Sequence, residues 1–272
     1  MPSGLDIRLL ASFAVAIAFD ILMPVAVVLW VRLRFGVAWK VIGIGALAFA
    51  LSQLFTRVPA TQVIQYLLRE QLKSSAVLMN VWIVILCITA GLFEETARLI
   101  AFKHPLKEHR TWKDALGFGA GHGGLESALL IGGLAIVGLI NVVVLSKMDP
   151  TTLPLNPEQL EKVREAKEHI AALRWWEPLL GAYERICAML VQIGMTVLVL
   201  QRFLRNQRRW YWLAVGLHAL VDGVAVVMAK QVGALAAEGT LTVFALLSLW
   251  LILRFRPTHE EPATAPAPTG GA

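Results

Sequence analysis

The stretch Gly91-Leu92-Phe93-Glu94-Glu95-Thr96-Ala97-Arg98 places two adjacent carboxylates and a guanidinium inside an apolar run over residues 77–102. Ionisable groups are expensive within a bilayer, so a cluster of three in one apolar run indicates a functional site inside a membrane. A simpler interpretation is that Glu94 and Glu95 lie at the water interface and pair with Arg98, one helical turn further along. The polar residues of the other spans are needed to distinguish a site inside the membrane from an ion pair at its surface.

Composition excludes a soluble globular protein. Hydrophobic residues make up 57% of the 272-residue chain and charged residues only 16%, whereas soluble domains carry about 25% charge. Several apolar runs of roughly 20 residues indicate a polytopic helical membrane protein, and the short alternating segments of a β-barrel do not stand out. Both cysteines, Cys87 and Cys187, lie in apolar runs, so neither a disulfide framework nor a Cys-based metal site is expected.

These runs predict an all-α transmembrane helical bundle of about seven spans in a single domain, residues 1–256. The predicted spans are Leu9–Val31, Val37–Phe55, Ser75–Phe102, Ala115–Leu145, Trp176–Phe203, Trp210–Ala229 and Leu241–Phe255. A short amphipathic helix over Arg57–Lys73 is expected at the membrane interface, and a charged helix over Glu158–Leu173 in the one sizeable soluble loop. The tail 257–272, rich in Pro, Ala, Thr and Gly, is predicted to be disordered.

The net charge of +6 is concentrated in the loops, so it is interpreted as an orientation signal and not as nucleic-acid binding. Loops one, three and five and the C-terminus hold three, four, four and two Lys or Arg residues, against three and one in loops two and six. The longer loop four holds five, offset by five acids. The prediction is a multi-pass protein of the bacterial cell membrane, with its N-terminus outside and its C-terminus in the cytoplasm.

Two histidines are predicted to lie at the depth of the glutamate pair. Glu95 lies about eight residues before the cytoplasmic end of its span, while His122 and His218 each lie about eight residues into a span that starts there. At 1.5 Å per residue, all three would be about 12 Å below that surface. Glu126 and Asp222 each follow a histidine by four residues, so each His–acid pair shares one helix face.

Two histidines with nearby carboxylates match the ligands of a catalytic zinc that keeps one position open for water. Each element alone has a plainer explanation, because a lone buried histidine is more often hydrogen-bonded in a core than bound to metal. A proton- or cation-coupled transporter would gather similar residues, although it would typically show repeated halves, and no internal repeat stands out. A catalytically silent membrane scaffold is the third function class left open.

Three short motifs occur in order on spans three, four and six: Glu94-Glu95-x-x-Arg98, Phe118-x-x-x-His122 and His218-x-x-x-Asp222. This ordered set resembles the CAAX-protease and bacteriocin-processing (CPBP) family of intramembrane proteases. The Gly-His-Gly-Gly-x-Glu run over residues 121–126 and the overall layout look most like the YhfC-type membrane peptidases, with the PrsW-like proteases more distant. The resemblance covers residues 75–229, the expected catalytic core. It departs from the common pattern at Asp222, where many members have Asn.

The resemblance implies an intramembrane endopeptidase that cleaves a membrane-associated protein or peptide at a site open to the cytoplasm. Glu94 or Glu95 would be the general base that activates water, and Arg98 would hold one carboxylate ionised or stabilise the substrate. Consecutive residues lie about 100° apart around a helix, so the two glutamates are not expected to face one metal. Glu95 is the preferred base.

The resemblance also implies that His122 and His218 bind zinc or the oxyanion, with Asp222 as a ligand or orienting group. Glu126, one turn beyond His122, is a further candidate ligand or orienting carboxylate. A metal-free mechanism, in which a glutamate acts with a histidine that orients the water, stays open at this point.

Span five carries two further charged residues, Glu184 and Arg185. Since they are expected about ten residues from the level of the site, a structural ion pair is the preferred interpretation.

Overall fold

The computed structural model describes residues 6–152 and 154–257, and this part of the chain contains helices but no β-strand. Seven of these helices are long and apolar enough to cross a membrane. They are α1 (Ile7–Phe35), α2 (Trp39–Leu67), α4 (Ala76–Lys103), α5 (Trp112–Lys147), α7 (Glu177–Leu204), α8 (Arg209–Gln231) and α9 (Ala234–Arg254). The short helices α3 (Arg69–Ser74) and α6 (Pro157–Ala172) lie between spans. The predicted polytopic helical bundle is confirmed.

Helix α7 is the central helix of the bundle. Every residue from 191 to 201 is buried, and α7 packs against α1, α5, α8 and α9. A span enclosed by other spans carries apolar side chains around its whole circumference. Any polar side chain on such a helix must find its partner within the protein.

The glycines of α2 and α5 allow these two helices to approach closely. A Cβ added at Gly45 would overlap the carbonyl oxygen of Phe118, and one at Gly121 would overlap the carbonyl oxygen of Ile42. Small residues at helix crossings let backbones come into contact within a membrane. The glycine-rich start of α5 therefore serves helix packing, and this packing places His122 deep in the interior.

Two spans contain π-helical turns, Ala50–Arg57 in α2 and Glu126–Ile131 in α5. The turn in α2 continues the second span well beyond its predicted end at Phe55, so much of the segment 57–73 expected at the interface belongs to the span itself. Arg57 is therefore half-buried in the bundle and donates to Gln53 Oε1 at 2.9 Å and to Thr89 Oγ1 at 3.2 Å. Each π-turn adds a residue to the helix and changes the direction of the side chains that follow.

The predicted charged loop helix is present as α6 and differs by one residue at each end. Asn156 accepts from the backbone N–H of Gln159, and the Gln159 side chain accepts from the backbone N–H of Asn156. Such reciprocal bonds satisfy donors that a helix N-terminus leaves free. The predicted tail lies, apart from Pro257, outside the described residues.

The contact between Gly45 and Phe118 makes a prediction about stability. Replacing Gly45→Ala forces α2 away from α5, so we expect a loss of about 2 kcal/mol of unfolding free energy, as for other overpacked cores. Gly43→Ala is the matched control, because a Cβ there has no neighbour within 4 Å. Thermal unfolding of the two purified variants in detergent measures the difference. An equal effect of both substitutions would contradict the close helix contact.

Candidate active site

Three helices bring the sequence-predicted polar residues together inside the bundle. His122 Nε2 on α5 lies 2.9 Å from Glu94 Oε2 on α4, and His218 Nδ1 on α8 lies 2.7 Å from Glu95 Oε1. Counted from the helix ends next to loops three and five, Glu95, His122 and His218 lie eight, ten and nine residues in. The two histidines and the two glutamates thus meet at one depth.

The two glutamates have different surroundings. Glu95 is fully buried and contacts Arg98 and His218, whereas Glu94 lines an internal cavity. The roughly 100° between consecutive helical residues accounts for this difference. Sequence reasoning preferred Glu95 as the base, but Glu94 is the carboxylate that a cavity water could reach.

Arg98 is fully buried and joins both glutamates to α7. Its Nη1 donates to Glu95 Oε1 at 2.6 Å, its Nε donates to Thr196 Oγ1 at 3.2 Å, and its Nη2 donates to Gln192 Oε1. Nη2 also lies 3.6 Å from Glu94 Oε2. A guanidinium buried away from water is stable only when its N–H groups have acceptors and its charge has a carboxylate nearby.

Gln192 is a site residue that sequence reasoning missed. Its Nε2 donates to Glu94 Oε2 at 3.2 Å and to Glu126 Oε2 at 2.6 Å, while its Oε1 accepts from Arg98. A signal was present, because Gln192 and Thr196 are polar residues one turn apart in the apolar fifth span. Polar side chains in a spanning helix, like charged ones, cost free energy unless they find partners, so this pair also indicated a site.

Glu126 is at the site but already has partners. It begins the π-turn of α5, and its Oε1 accepts from Arg185 Nη1 at 3.2 Å. Arg185 also pairs with Glu184, and all three side chains line the same cavity as Glu94. The predicted ion pair of Glu184 and Arg185 is present, but it does not lie apart from the site, because Arg185 also bonds Glu126 and both side chains line this cavity.

His218 presents one nitrogen to the cavity. A carboxylate is only an acceptor, so Nδ1 donates to Glu95 and the orientation of the ring is thereby set. Nε2 lies 3.9 Å from Glu94 Oε2 and 4.0 Å from Asp222 Oδ2, too far to bond either. The Asp222 side chain, 37% exposed, lines the cavity beside it.

The cavity next to these groups has a volume of about 280 Å³. From Glu94 it extends past Ala90, Leu130, Glu184 and Ala225, so on every helix it continues away from the basic loops. Both π-turns contribute to its wall, as Gln53 and Arg57 belong to one and Glu126 and Leu130 to the other. Pi-helical turns occur often at functional sites.

The donor atoms present match zinc in their chemistry. His122 Nε2 and His218 Nε2 lie 2.9 and 3.9 Å from one oxygen, Glu94 Oε2, and imidazole nitrogen with carboxylate oxygen is a common zinc ligand set. Glu95 orients His218 through Nδ1, as an outer carboxylate does for a ligated histidine. Within the described residues, however, no group of three or more His, Cys, Asp or Glu side chains is placed to hold a metal ion as it stands. Binding would require the directly bonded His122 and Glu94 to separate.

Comparison with known proteins gives two matches. Residues 19–245 match the family described as YhfC intramembrane metalloprotease. The uncharacterized membrane protein YhfC of Bacillus subtilis (strain 168) is 33% identical over 250 residues, which are 90% of this chain and 95% of that protein. No solved structure matches. Since the family match spans all four helices that form the site, and the relative covers nearly the whole chain, this protein belongs to the YhfC intramembrane metalloprotease family.

Proposed function

We propose that this protein is an intramembrane endopeptidase of the bacterial cell membrane that hydrolyses a peptide bond of a membrane-associated protein or peptide. One observation carries the proposal: a buried carboxylate, Glu94, lies between His122 and Arg98 at the wall of a cavity inside the bundle. A carboxylate held at a cavity wall beside imidazole groups is positioned to activate a water there. The family description supports the same chemistry.

Glu94 is the proposed general base. Its contacts with His122, Gln192 and Arg98 all involve Oε2, so Oε1 is left for a water in the cavity. This carboxylate would take a proton from the water as the water attacks the peptide carbonyl, and would return it to the leaving amine. Glu95 has a supporting role, because it neutralises Arg98 and orients His218.

His218 is the proposed partner of the substrate carbonyl. Its free Nε2 faces the cavity between Glu94 and Asp222; in the imidazolium form, with both ring nitrogens protonated, its N–H would stabilise the developing oxyanion. In the zinc-bound enzyme we propose His122 and His218 as ligands and Asp222 as the available carboxylate. Glu126 is the less accessible one, because Arg185 and Gln192 hold it. When bound, the metal would supply polarisation of the water and the carbonyl.

The helix bounds also affect the proposed orientation of the protein in the membrane. Arg57 lies within α2, which leaves Arg69 and Lys73 as the basic residues of loop two. Because Arg32, Arg34 and Lys40 also lie within the helices that flank loop one, the positive-inside bias continues to favour a cytoplasmic location for loops one, three and five, as it did from the sequence. With the N-terminus outside, the cavity extends from the site toward the outer face, opposite to the cytoplasmic opening that the resemblance implies.

The first prediction from the proposed function concerns Glu94. Glu94→Gln keeps the shape and removes the base, while Glu95 still neutralises Arg98, so we expect cleavage to fall by roughly 100- to 10,000-fold in a protein that stays folded. The assay reconstitutes purified protein with a library of membrane-anchored peptides and identifies new termini by mass spectrometry. Glu161→Gln, on the exposed face of α6, is the matched control. Cleavage that persists in Glu94→Gln would contradict the assignment, and a wild type that cuts no peptide would contradict the peptidase.

The second prediction concerns the metal. We expect about one zinc per wild-type chain after purification without chelators, as three or four protein ligands hold a single catalytic ion. His122→Ala and His218→Ala should each lower this content at least about tenfold, whereas His169→Ala in α6 should not. Elemental analysis by mass spectrometry measures the content. Metal-free wild type whose cleavage still depends on Glu94 would refute zinc and support the glutamate–histidine mechanism.

The third prediction concerns the side on which the loops lie. Cysteine placed at Glu161 in α6 should react with a membrane-impermeant maleimide on intact cells, whereas cysteine placed at Gln207 should react only after lysis. The native Cys87 and Cys187 are buried and give a low background. The reverse labelling pattern would place the cavity on the cytoplasmic side.

A further inference from the structure

A second cavity, of about 390 Å³, lies at the loop-three and loop-five ends of the helices that carry the site, on the side away from which the first cavity extends. Its lining combines cationic and aromatic side chains: Leu99, Lys103, Arg202, Phe203, Arg208, Tyr211 and Trp212. None of these lining residues is acidic. We refer to this cavity as the basic pocket.

Two of its cations have no partner in the part of the chain that the structure describes. Among the described residues, neither the Lys103 ammonium nor the Arg208 guanidinium makes a hydrogen bond or an ion pair, whereas Arg202 donates to Asn206 Oδ1 at 3.2 Å. The neighbouring Arg110 has other partners. Its Cζ lies 4.4 Å from the centre of the Phe203 ring, and its Nε donates to the carbonyl of Phe102 at 2.8 Å. Three like charges around one cavity repel each other, and an anion between them would offset this repulsion.

The location of the basic pocket indicates the kind of anion. Lys103 ends α4, Arg202 lies in the last turn of α7, and Arg208 is the N-cap of α8. The pocket therefore lies at the membrane–water boundary, where tryptophan and tyrosine side chains are enriched. Trp212 is 60% exposed, whereas Tyr211 is buried and its hydroxyl is 2.9 Å from Thr96 Oγ1.

We propose that the basic pocket binds the phosphate of an anionic phospholipid headgroup. Lys and Arg side chains supply charge-assisted hydrogen bonds to phosphate oxygens, and a volume near 390 Å³ falls in the lower range of small-molecule sites. A membrane lipid is favoured over a soluble phosphate for two reasons. The mouth lies at headgroup level, and exposed apolar side chains of α8, including Leu213 and Leu220, continue toward the membrane interior beside it.

The pocket joins three of the four helices that form the catalytic cluster, α4, α7 and α8. Lys103 is two turns from Glu95 on α4, Arg202 follows Gln192 and Thr196 on α7, and α8 carries His218. A phosphate held between these helix ends would fix their spacing, so occupancy should raise the stability of the whole bundle. Lipid binding does not depend on the proposed peptidase activity.

The test compares two triple variants of the full-length protein in detergent. The pocket variant carries Lys103→Gln, Arg202→Gln and Arg208→Gln. The matched control carries Arg32→Gln, Arg34→Gln and Lys40→Gln, which remove the same charge from loop one on the same side of the membrane. Native mass spectrometry counts retained lipid after incubation with phosphatidylglycerol or phosphatidylcholine, and thermal unfolding reports the stabilisation.

For wild type and the control variant we expect at least tenfold more retention of phosphatidylglycerol than of phosphatidylcholine, and a rise in unfolding temperature with the anionic lipid alone. The pocket variant should lose both effects, with about a hundredfold weaker binding, since each cation near an anionic lipid contributes roughly a factor of five. Should that variant fail to fold, the pair Lys103→Gln and Arg208→Gln, both unpartnered, replaces it and should lose about 25-fold.

Three outcomes would overturn the proposal. Equal losses in the pocket and control variants would show general surface charge. Equal stabilisation by inorganic phosphate or glycerol phosphate would indicate a soluble ligand. Displacement of the lipid by an acidic peptide at micromolar concentration would indicate a protein partner.

Discussion

The arrangement of this site depends on one desolvated guanidinium. Arg98 is fully buried within the bundle, where an unpaired charge would cost several kcal/mol. It is matched by the carboxylates of its own helix and by the polar side chains of α7, Gln192 and Thr196. Because these partners come from two helices, the packing of α4 against α7 also fixes the geometry of the site. Helix packing through glycine then brings His122 to this centre from the other side.

This constraint divides the work between two adjacent glutamates. Glu95 is committed to Arg98 and His218 inside the protein, so it orients other groups and has little access to water. Glu94 shares the same guanidinium at a longer distance and keeps one oxygen for the cavity. Adjacent residues on a helix diverge by about 100°, so one pair of identical side chains can supply both an enclosed anion and one that faces a cavity. The preference for Glu95 as the base came from a sequence in which the two are equivalent.

Sequence reasoning located the spans and the principal polar residues because both carry large transfer free energies. A long apolar run has no stable alternative to a spanning helix, and a buried charge is visible against an apolar background. Prediction from the sequence was less successful for uncharged polar residues and for irregular helical turns. Gln192 is uncharged and was overlooked, and the π-turns at Ala50–Arg57 and Glu126–Ile131 have no marker in the residues themselves. Those turns moved Arg57 from a predicted loop into the cavity wall and brought Glu126 to Arg185.

By itself the sequence determined that this is a seven-span helical membrane protein, that the glutamate pair and two histidines are expected at one depth with an acid one turn beyond each histidine, and that one set of loops is the more basic. Only the tertiary structure decided which glutamate faces the cavity, that Arg185 and Gln192 belong to the site, and toward which end the cavity extends. The physical reason is that depth follows from counting along a helix at a constant rise. Facing direction and partnership follow instead from how helices rotate against each other, which side-chain volume and hydrogen-bond satisfaction settle only after packing.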